Sequence, residues 1–223
     1  MAETQIDLSS ADISTLAYRL RDRLQNDLPG RAAQVHMAPR YRARQDALSV
    51  RDRDCREAGV LALLYPDAET HLVLTVRRDD LPDHPGQISF PGGQREAGES
   101  LPETALREAE EEVGLPPGGV HLLGALTPLF VPPSNFCVHP FIGVLDHVPS
   151  LAPTDREVGD ILHVPIQRLL APETRVVETW TLHGKEIDVP FYRVGAHTVW
   201  GATAMMLAEL LACIRDITGA VDK

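Results

Sequence analysis

The chain has 223 residues, of which 43% are apolar and 24% charged, with a formal net charge of −11. This length suits one well-buried domain with an extension and is short for two full domains, and the composition is that of a globular chain. No run approaches the roughly 18 consecutive apolar residues of a membrane span, and an acidic body does not neutralise the phosphates of a nucleic-acid duplex, so neither a membrane nor nucleic acid is expected as a partner.

The charge is uneven. Residues 1–56 hold ten Arg/Lys against eight Asp/Glu, which leaves −13 for the remainder. If that remainder handles phosphates, it needs cations to do so. The opening MAETQIDLSSADIST carries acids and no apolar block, so no secretory signal is expected and a cytoplasmic location follows. Cys55, Cys137 and Cys213 lie about eighty residues apart without a C-x-x-C pair, and are expected to be reduced thiols. The nine histidines show no H-x-x-x-H spacing, so packing or surface roles are expected of them.

Ile13, Leu16, Leu20, Leu24 and Leu28 recur at three and four residues, with Arg19, Arg21 and Arg23 interleaved. This predicts an amphipathic helix, capped by Ser9 or Ser10 and ended by Pro29-Gly30. Asp12, Asp22 and Asp27 match its arginines, which favours a solvated face on a packing helix over a membrane-lying one. The stretch RYRARQDALSVRDRD from Arg40 reads as an exposed connection.

From Ala58 the texture changes to short apolar runs at 59–65, 71–76, 120–126 and 138–145, bounded by Gly, Pro or Asp as buried strands are. Between the second and third runs lies SLPETALREAEEEVGL, a helix with Pro102 near its start and Gly114 at its end. TRVVETWTLHGKEIDVPFYRV reads as a hairpin turning at His183-Gly184-Lys185, and an apolar helix follows from about Gly201 to Ile217. The order predicts an α/β sandwich around a mixed sheet. It is partitioned as a helical arm and connection (1–56), one domain (57–218) and a frayed C-terminus (219–223).

The middle helix carries the chemistry. At 100° per residue, Glu108, Glu111 and Glu112 fall within an arc of about 100°, beside an apolar stripe of Ala105, Leu106, Ala109 and Val113. Three carboxylates about 5–6 Å apart repel by about 3 kcal/mol per pair at an effective dielectric near 20. Protonation or a divalent cation would relieve this, and all-oxygen ligands at one helical spacing suit Mg²⁺ or Mn²⁺. The competing reading is a merely solvated acidic face. The preceding SFPGGQREAGES adds Pro91-Gly92-Gly93, able to bend and turn backbone carbonyls toward an ion. It also adds Glu99, eight residues from Arg107, as a loop-to-helix ion pair.

Gly93, Glu99, Arg107, Glu108, Glu111, Glu112, Gly114 and Leu115 fit G-x5-E-x7-R-E-U-x-E-E-x-G-U, where U is a bulky aliphatic residue; Ala109 at the first U is the one departure. In this the sequence resembles the Nudix hydrolase family. The resemblance implies an α/β/α sandwich that hydrolyses a diphosphate linked to another moiety. It further implies divalent ions, Mg²⁺ or Mn²⁺, held by Glu108, Glu111, Glu112 and the Gly92 carbonyl. Glu108 and Glu112 are the catalytic candidates on the helix, and Glu157 is the candidate for a base on a later loop.

Upstream, Leu74, Thr75, Arg77, Gly86, Phe90, Pro91, Gly92 and Gly93 are similar to the coenzyme A diphosphatase pattern L-L-T-x-R-[SA]-x3-R-x3-G-x3-F-P-G-G. Val73, Arg78 and Pro82 depart from it, and Pro82 replaces an arginine. This narrower resemblance implies cleavage of coenzyme A or its thioesters into 3′,5′-ADP and a 4′-phosphopantetheine. Arg77 and Arg78 are then candidates for substrate phosphates, Phe136 for stacking on a base or lining the pantetheine channel, with core packing as its competing role, and His84 for a phosphate hydrogen bond or a turn. The alternatives are a Nudix diphosphatase of ADP-ribose, NADH or another nucleotide, and a catalytically silent nucleotide sensor. A homodimer is an admissible assembly.

Overall fold

The computed structural model describes residues 13–40, 45–81, 85–182 and 184–219. Two helices come first, α1 (Ile13–Leu24) and α2 (Gly30–Val35). Four strands follow, β1 (Arg56–Pro66), β2 (Thr70–Arg77), β3 (Ile88–Ser89) and β4 (Gly92–Gln94), and then α3 (Leu101–Val113). The chain continues through β5 (His121–Ala125), β6 (Leu129–Val131), β7 (Phe136–Val144), β8 (Val158–Pro165) and the short α4 (Ile166–Leu170). A hairpin of β9 (Arg175–Leu182) and β10 (Lys185–Val194), then β11 (His197–Trp200) and α5 (Gly201–Thr218), complete it.

β1 organises the main sheet because it is buried on both faces. Val60, Ala62 and Leu64 point to one core, with Leu16 and Leu20 of α1 and Leu207, Leu210, Leu211 and Ile214 of α5. Leu61, Leu63 and Tyr65 point to the other, with Ala105, Ala109 and Val113 of α3. Each leucine so enclosed contributes about 1.5–3 kcal/mol relative to exposure. β1 pairs in parallel with β7 from Arg56 opposite Phe136 to Leu64 opposite Val144. It pairs antiparallel with β2 and β4, so the eight-stranded sheet is mixed. β9, β10 and β11 form a separate three-stranded sheet. Helices therefore cover both faces of a mixed sheet, as the order of elements predicts.

Gly59 explains how closely α3 sits. A Cβ there would lie 2.4 Å from the Leu101 carbonyl oxygen, closer than any side chain tolerates, so the bare backbone of β1 is what admits the first turn of the helix. The opposite core is fastened by a buried acid. Glu209 of α5 accepts hydrogen bonds from the Gly30 amide (3.2 Å), the Gln34 Nε2 (2.8 Å) and the Thr127 hydroxyl (2.7 Å), joining α2 and the β5–β6 connection to α5.

Three expectations need correction. Cys55 and Cys137 form a disulfide, with Cα atoms 5.8 Å apart across 82 residues. The parallel register that sets Arg56 opposite Phe136 brings their neighbours together, and no local spacing reveals such a pairing. Only Cys213 is a free, buried thiol, so the cysteines give no support to a reducing compartment. The first helix ends at Leu24 rather than near Leu28. The connection after Arg40 is anchored, since Leu48 in its 3-10 turn is fully buried. The proposed caps Ser9 and Ser10, and Pro82, His84 and His183, lie outside the described residues.

Candidate active site

α3 is held at both ends by its own sequence. Ser100 and Glu103 form a reciprocal capping box, and Gly114 closes the helix in the left-handed conformation at φ 69°. The carbonyls left over at its C-terminal end are taken by the β7–β8 connection. The Ala152 amide donates to Val113, and the Thr154 amide (3.1 Å) and hydroxyl (2.6 Å) donate to the carbonyls of Glu112 and Glu111. This docking carries Asp155 and Glu157 to the acidic edge of the helix.

Glu108 lies against Gly93 of β4. A Cβ on Gly93 would come within 2.4 Å of the Glu108 carboxyl carbon, so the glycine lets the acid lie directly against the strand, and a larger residue would require the Glu108 carboxylate to swing away. Glu112 accepts a hydrogen bond from the Gly92 amide at 3.2 Å. Burial, and then the charges of Glu108, Asp155 and Glu157, push the Glu112 carboxyl up to about 8. Burial raises Glu108 above the usual carboxylate range as well, against the pull of Arg107.

Arg107 occupies the centre of the remaining acids. Its Nε and Nη2 donate to the two oxygens of Glu99 at 2.8 and 3.3 Å. Its Nη1 reaches Glu108 at 2.9 Å and Glu111 at 3.1 Å. Glu99 also accepts from the Thr104 hydroxyl and the Glu96 amide. Arg107 and these donors hold its carboxyl down at about 2. The expected loop-to-helix pair thus exists and extends further, to two of the three glutamates of the acidic edge.

In this conformation no three His, Cys, Asp or Glu side chains among the described residues converge tightly enough to hold a cation. The donor set nonetheless fits one. A guanidinium bridges Glu108 and Glu111, and Glu112 is a desolvated acid crowded by three others, so positive charge satisfies this edge wherever it is supplied.

The other candidate residues divide. Glu157 meets Arg77, its Oε2 lying 2.5 Å from Nη1, and its carbonyl accepts from the Arg78 amide at 2.9 Å. Arg77 is thereby placed beside the acids. Arg78 instead forms a two-pronged pair with Asp80 at 2.7 and 2.8 Å. Phe136 is not brought to the acidic edge. It follows the alternation of β7 toward the α5 side of the sheet, as Val138 and Ile142 do, and lies under the Arg56 guanidinium at 4.1 Å. Sequence reading passed over Asp155, whose only signal was its place two residues before Glu157 in an acidic turn. It also passed over His139, which lies beside Gly59 in the register of β1 and β7 and 3.9 Å from Glu57; burial lowers its pKa.

Residues 56–181 match the family model described as NUDIX domain. Uncharacterized Nudix hydrolase NudL of Photorhabdus laumondii subsp. laumondii is 36% identical over 156 residues, covering 70% of this chain and 83% of that protein. The protein of the same description from Pectobacterium atrosepticum is 34% identical over 165 residues, covering 72% and 84%. Among solved structures, the Nudix hydrolase RenU from M. smegmatis aligns at 15% identity over 75% of this chain and 88% of that one, with a TM-score of 0.46. The matched domain spans β1 to β9 and includes every residue of the acidic edge, and on that ground the chain belongs to the Nudix family as a hydrolase of pyrophosphate bonds.

Proposed function

We propose that this hydrolase cleaves the diphosphate of coenzyme A or its thioesters, releasing 3′,5′-ADP and 4′-phosphopantetheine or its acyl form. The observation that carries the reading is the ion pair of Arg77 and Glu157. It joins the arginine of the upstream coenzyme A pattern to the loop that borders Glu112. A diphosphate arriving at the acidic edge would exchange Glu157 for its own oxygens on the Arg77 guanidinium, whose planar fork suits phosphate.

In this reading Glu108, Glu111, Glu112 and the Gly92 carbonyl hold Mg²⁺ or Mn²⁺. Bound there, a divalent ion supplies neutralisation of the diphosphate charge and acidification of water. Arg107 positions Glu108 and Glu111, and its pair with Glu99 would keep it anchored if those two acids were to hold the ion. Glu112, buried and raised to about 8, would have to be deprotonated to serve as a ligand. Glu157, released from Arg77 by the substrate, is the base that takes a proton from the attacking water, with Glu108 orienting that water. Arg78 and Phe136 gain no support from their placement, one committed to Asp80 and the other facing the opposite side of the sheet.

The test is product identification. Incubation of coenzyme A with the protein and Mg²⁺ or Mn²⁺ is expected to yield 3′,5′-ADP and 4′-phosphopantetheine in equal amounts. ADP-ribose and NADH assayed in parallel should turn over more slowly, and a preference for either of them removes the coenzyme A assignment.

A further inference from the structure

A cavity of about 380 Å³ lies away from the acidic edge, between the β2–β3 hairpin and the three-stranded sheet. Val76, Asp79, Gly86 and Gln87 line one side, and Trp180, His197 and Trp200 line the other. We propose that it is the subsite for the purine base of the substrate, a role that rests on the diphosphatase reading above.

The walls have the chemistry of a base pocket. Trp180 and Trp200 meet edge to face with centroids 5.3 Å apart, and Trp180 is backed by Phe191 at 5.6 Å, so the indole is held in place while both tryptophans remain partly exposed to the cavity. Rigid aromatic surface of this kind stacks on a flat heterocycle at little entropic cost. The opposite wall offers a carboxylate, Asp79, and a carboxamide, Gln87, which can accept from an exocyclic amine and donate to a ring nitrogen, as Gln does with adenine. The volume falls within the range of small-molecule pockets, at about 300–1,000 Å³.

Its position relative to the acids is also suitable. The Arg77 amide donates to the Gln87 carbonyl at 2.9 Å and its carbonyl accepts from Gly86 at 3.1 Å, while its side chain reaches Glu157. One residue thus ties the cavity wall to the acid loop. Gln87 and Gly92 are five residues apart, so at most about 17 Å of extended chain at 3.3 Å per residue separates the cavity wall from the strand that borders Glu108 and Glu112. The arrangement is fixed from behind, because the Thr203 hydroxyl at the start of α5 donates to the Ile88 carbonyl of β3 at 2.9 Å and holds the second sheet against the hairpin.

The chain has two tryptophans, and both line this cavity, so its own fluorescence reports occupancy. Titration with adenosine 3′,5′-bisphosphate, excited at the red edge of tryptophan absorption where adenine is transparent, is expected to quench the emission in a saturable way. 4′-Phosphopantetheine should leave it unchanged. Trp180→Leu should raise KM for coenzyme A by about tenfold, far more than it lowers kcat, and Trp180→Phe should restore most of the loss. Gln87→Ala, which leaves the aromatic wall intact, should raise KM in the same direction. Quenching by 4′-phosphopantetheine alone, or by neither compound while coenzyme A is still cleaved, overturns the subsite and leaves the diphosphatase reading standing. Quenching by the adenosine compound without any cleavage of coenzyme A supports the subsite and removes the coenzyme A assignment instead.

Discussion

Arg77 and Glu157 form an ion pair, Nη1 to Oε2 at 2.5 Å, although they lie 80 residues apart. Sequence reading assigned one to the substrate and the other to catalysis, and their contact makes each the resting partner of the other. Arg77→Ala is therefore expected to raise KM for coenzyme A by about 10–100-fold, the worth of one charge-assisted hydrogen bond. Glu157→Gln should lower kcat with a smaller effect on KM, because the Arg77 guanidinium still binds phosphate. Steady-state kinetics of the two variants checks this. A fall in kcat for Arg77→Ala with KM unchanged would reverse the roles.

Glu112 gives a dependence on pH. Its carboxyl is raised from 4.5 to about 8, so the folded state holds a proton that the unfolded chain releases. The associated stability is complete below about 4.5 and is lost as pH rises through about 8. Mn²⁺ competes with that proton, so its stabilising effect should grow over the same interval. The prediction is a larger Mn²⁺-induced rise in Tm at pH 9 than at pH 6. Glu112→Gln should abolish most turnover and flatten both dependences, since it removes the titrating charge without opening a cavity.

Glu99 behaves in the opposite sense. Arg107 and neighbouring donors hold its carboxyl near 2 against an ordinary 4.5. The stability it contributes is present above about 4.5 and disappears as pH falls toward 2. Glu99→Gln should lower Tm at neutral pH and match the parent protein at the acid end. It should also reduce kcat, because Arg107 then loses the anchor that positions Glu108 and Glu111.

The disulfide predicts a redox-dependent stability. Cys55–Cys137 closes 82 residues of chain, and a cross-link of that kind contributes about 2–4 kcal/mol. Alkylation of the denatured, unreduced protein should label Cys213 alone, and Cys137→Ser should melt at lower temperature. Three labelled cysteines without reduction would show that the bond does not form in solution.

What was legible in the sequence was what local pattern encodes. α3 carries Pro102, its glycine stop and its row of glutamates within thirteen residues, and the helix begins and ends in the structure around those marks, whereas its Ser100–Glu103 capping box was not read from the sequence. Four of the eight strands of the main sheet, β1, β2, β5 and β7, were readable because their apolar runs are bounded by turn residues, whereas the short β3, β4 and β6 and the half-exposed β8 carry no such run. Features set by long-range register were not. Cys55 meets Cys137 only because β1 and β7 run parallel, and Asp155 reaches Glu112 only because Thr154 docks on the end of α3. The contact of Arg107 with Glu108 and Glu111 escaped because helix periodicity gives positions, whereas a guanidinium chooses among several carboxylates by solvation and reach. The loss of the last turn of α1 reflects tertiary packing, with Leu28 joining the core from outside the helix.

A crystal soaked in Mn²⁺ tests the acidic edge of α3 directly. An anomalous peak is expected, bonded to carboxylate oxygens of Glu108, Glu111 and Glu112 and to the Gly92 carbonyl at distances of about 2.0–2.4 Å, with Arg107 withdrawn onto Glu99. Arg107 still bridging Glu108 and Glu111, with manganese absent from that edge in crystals that turn over substrate, would contradict it.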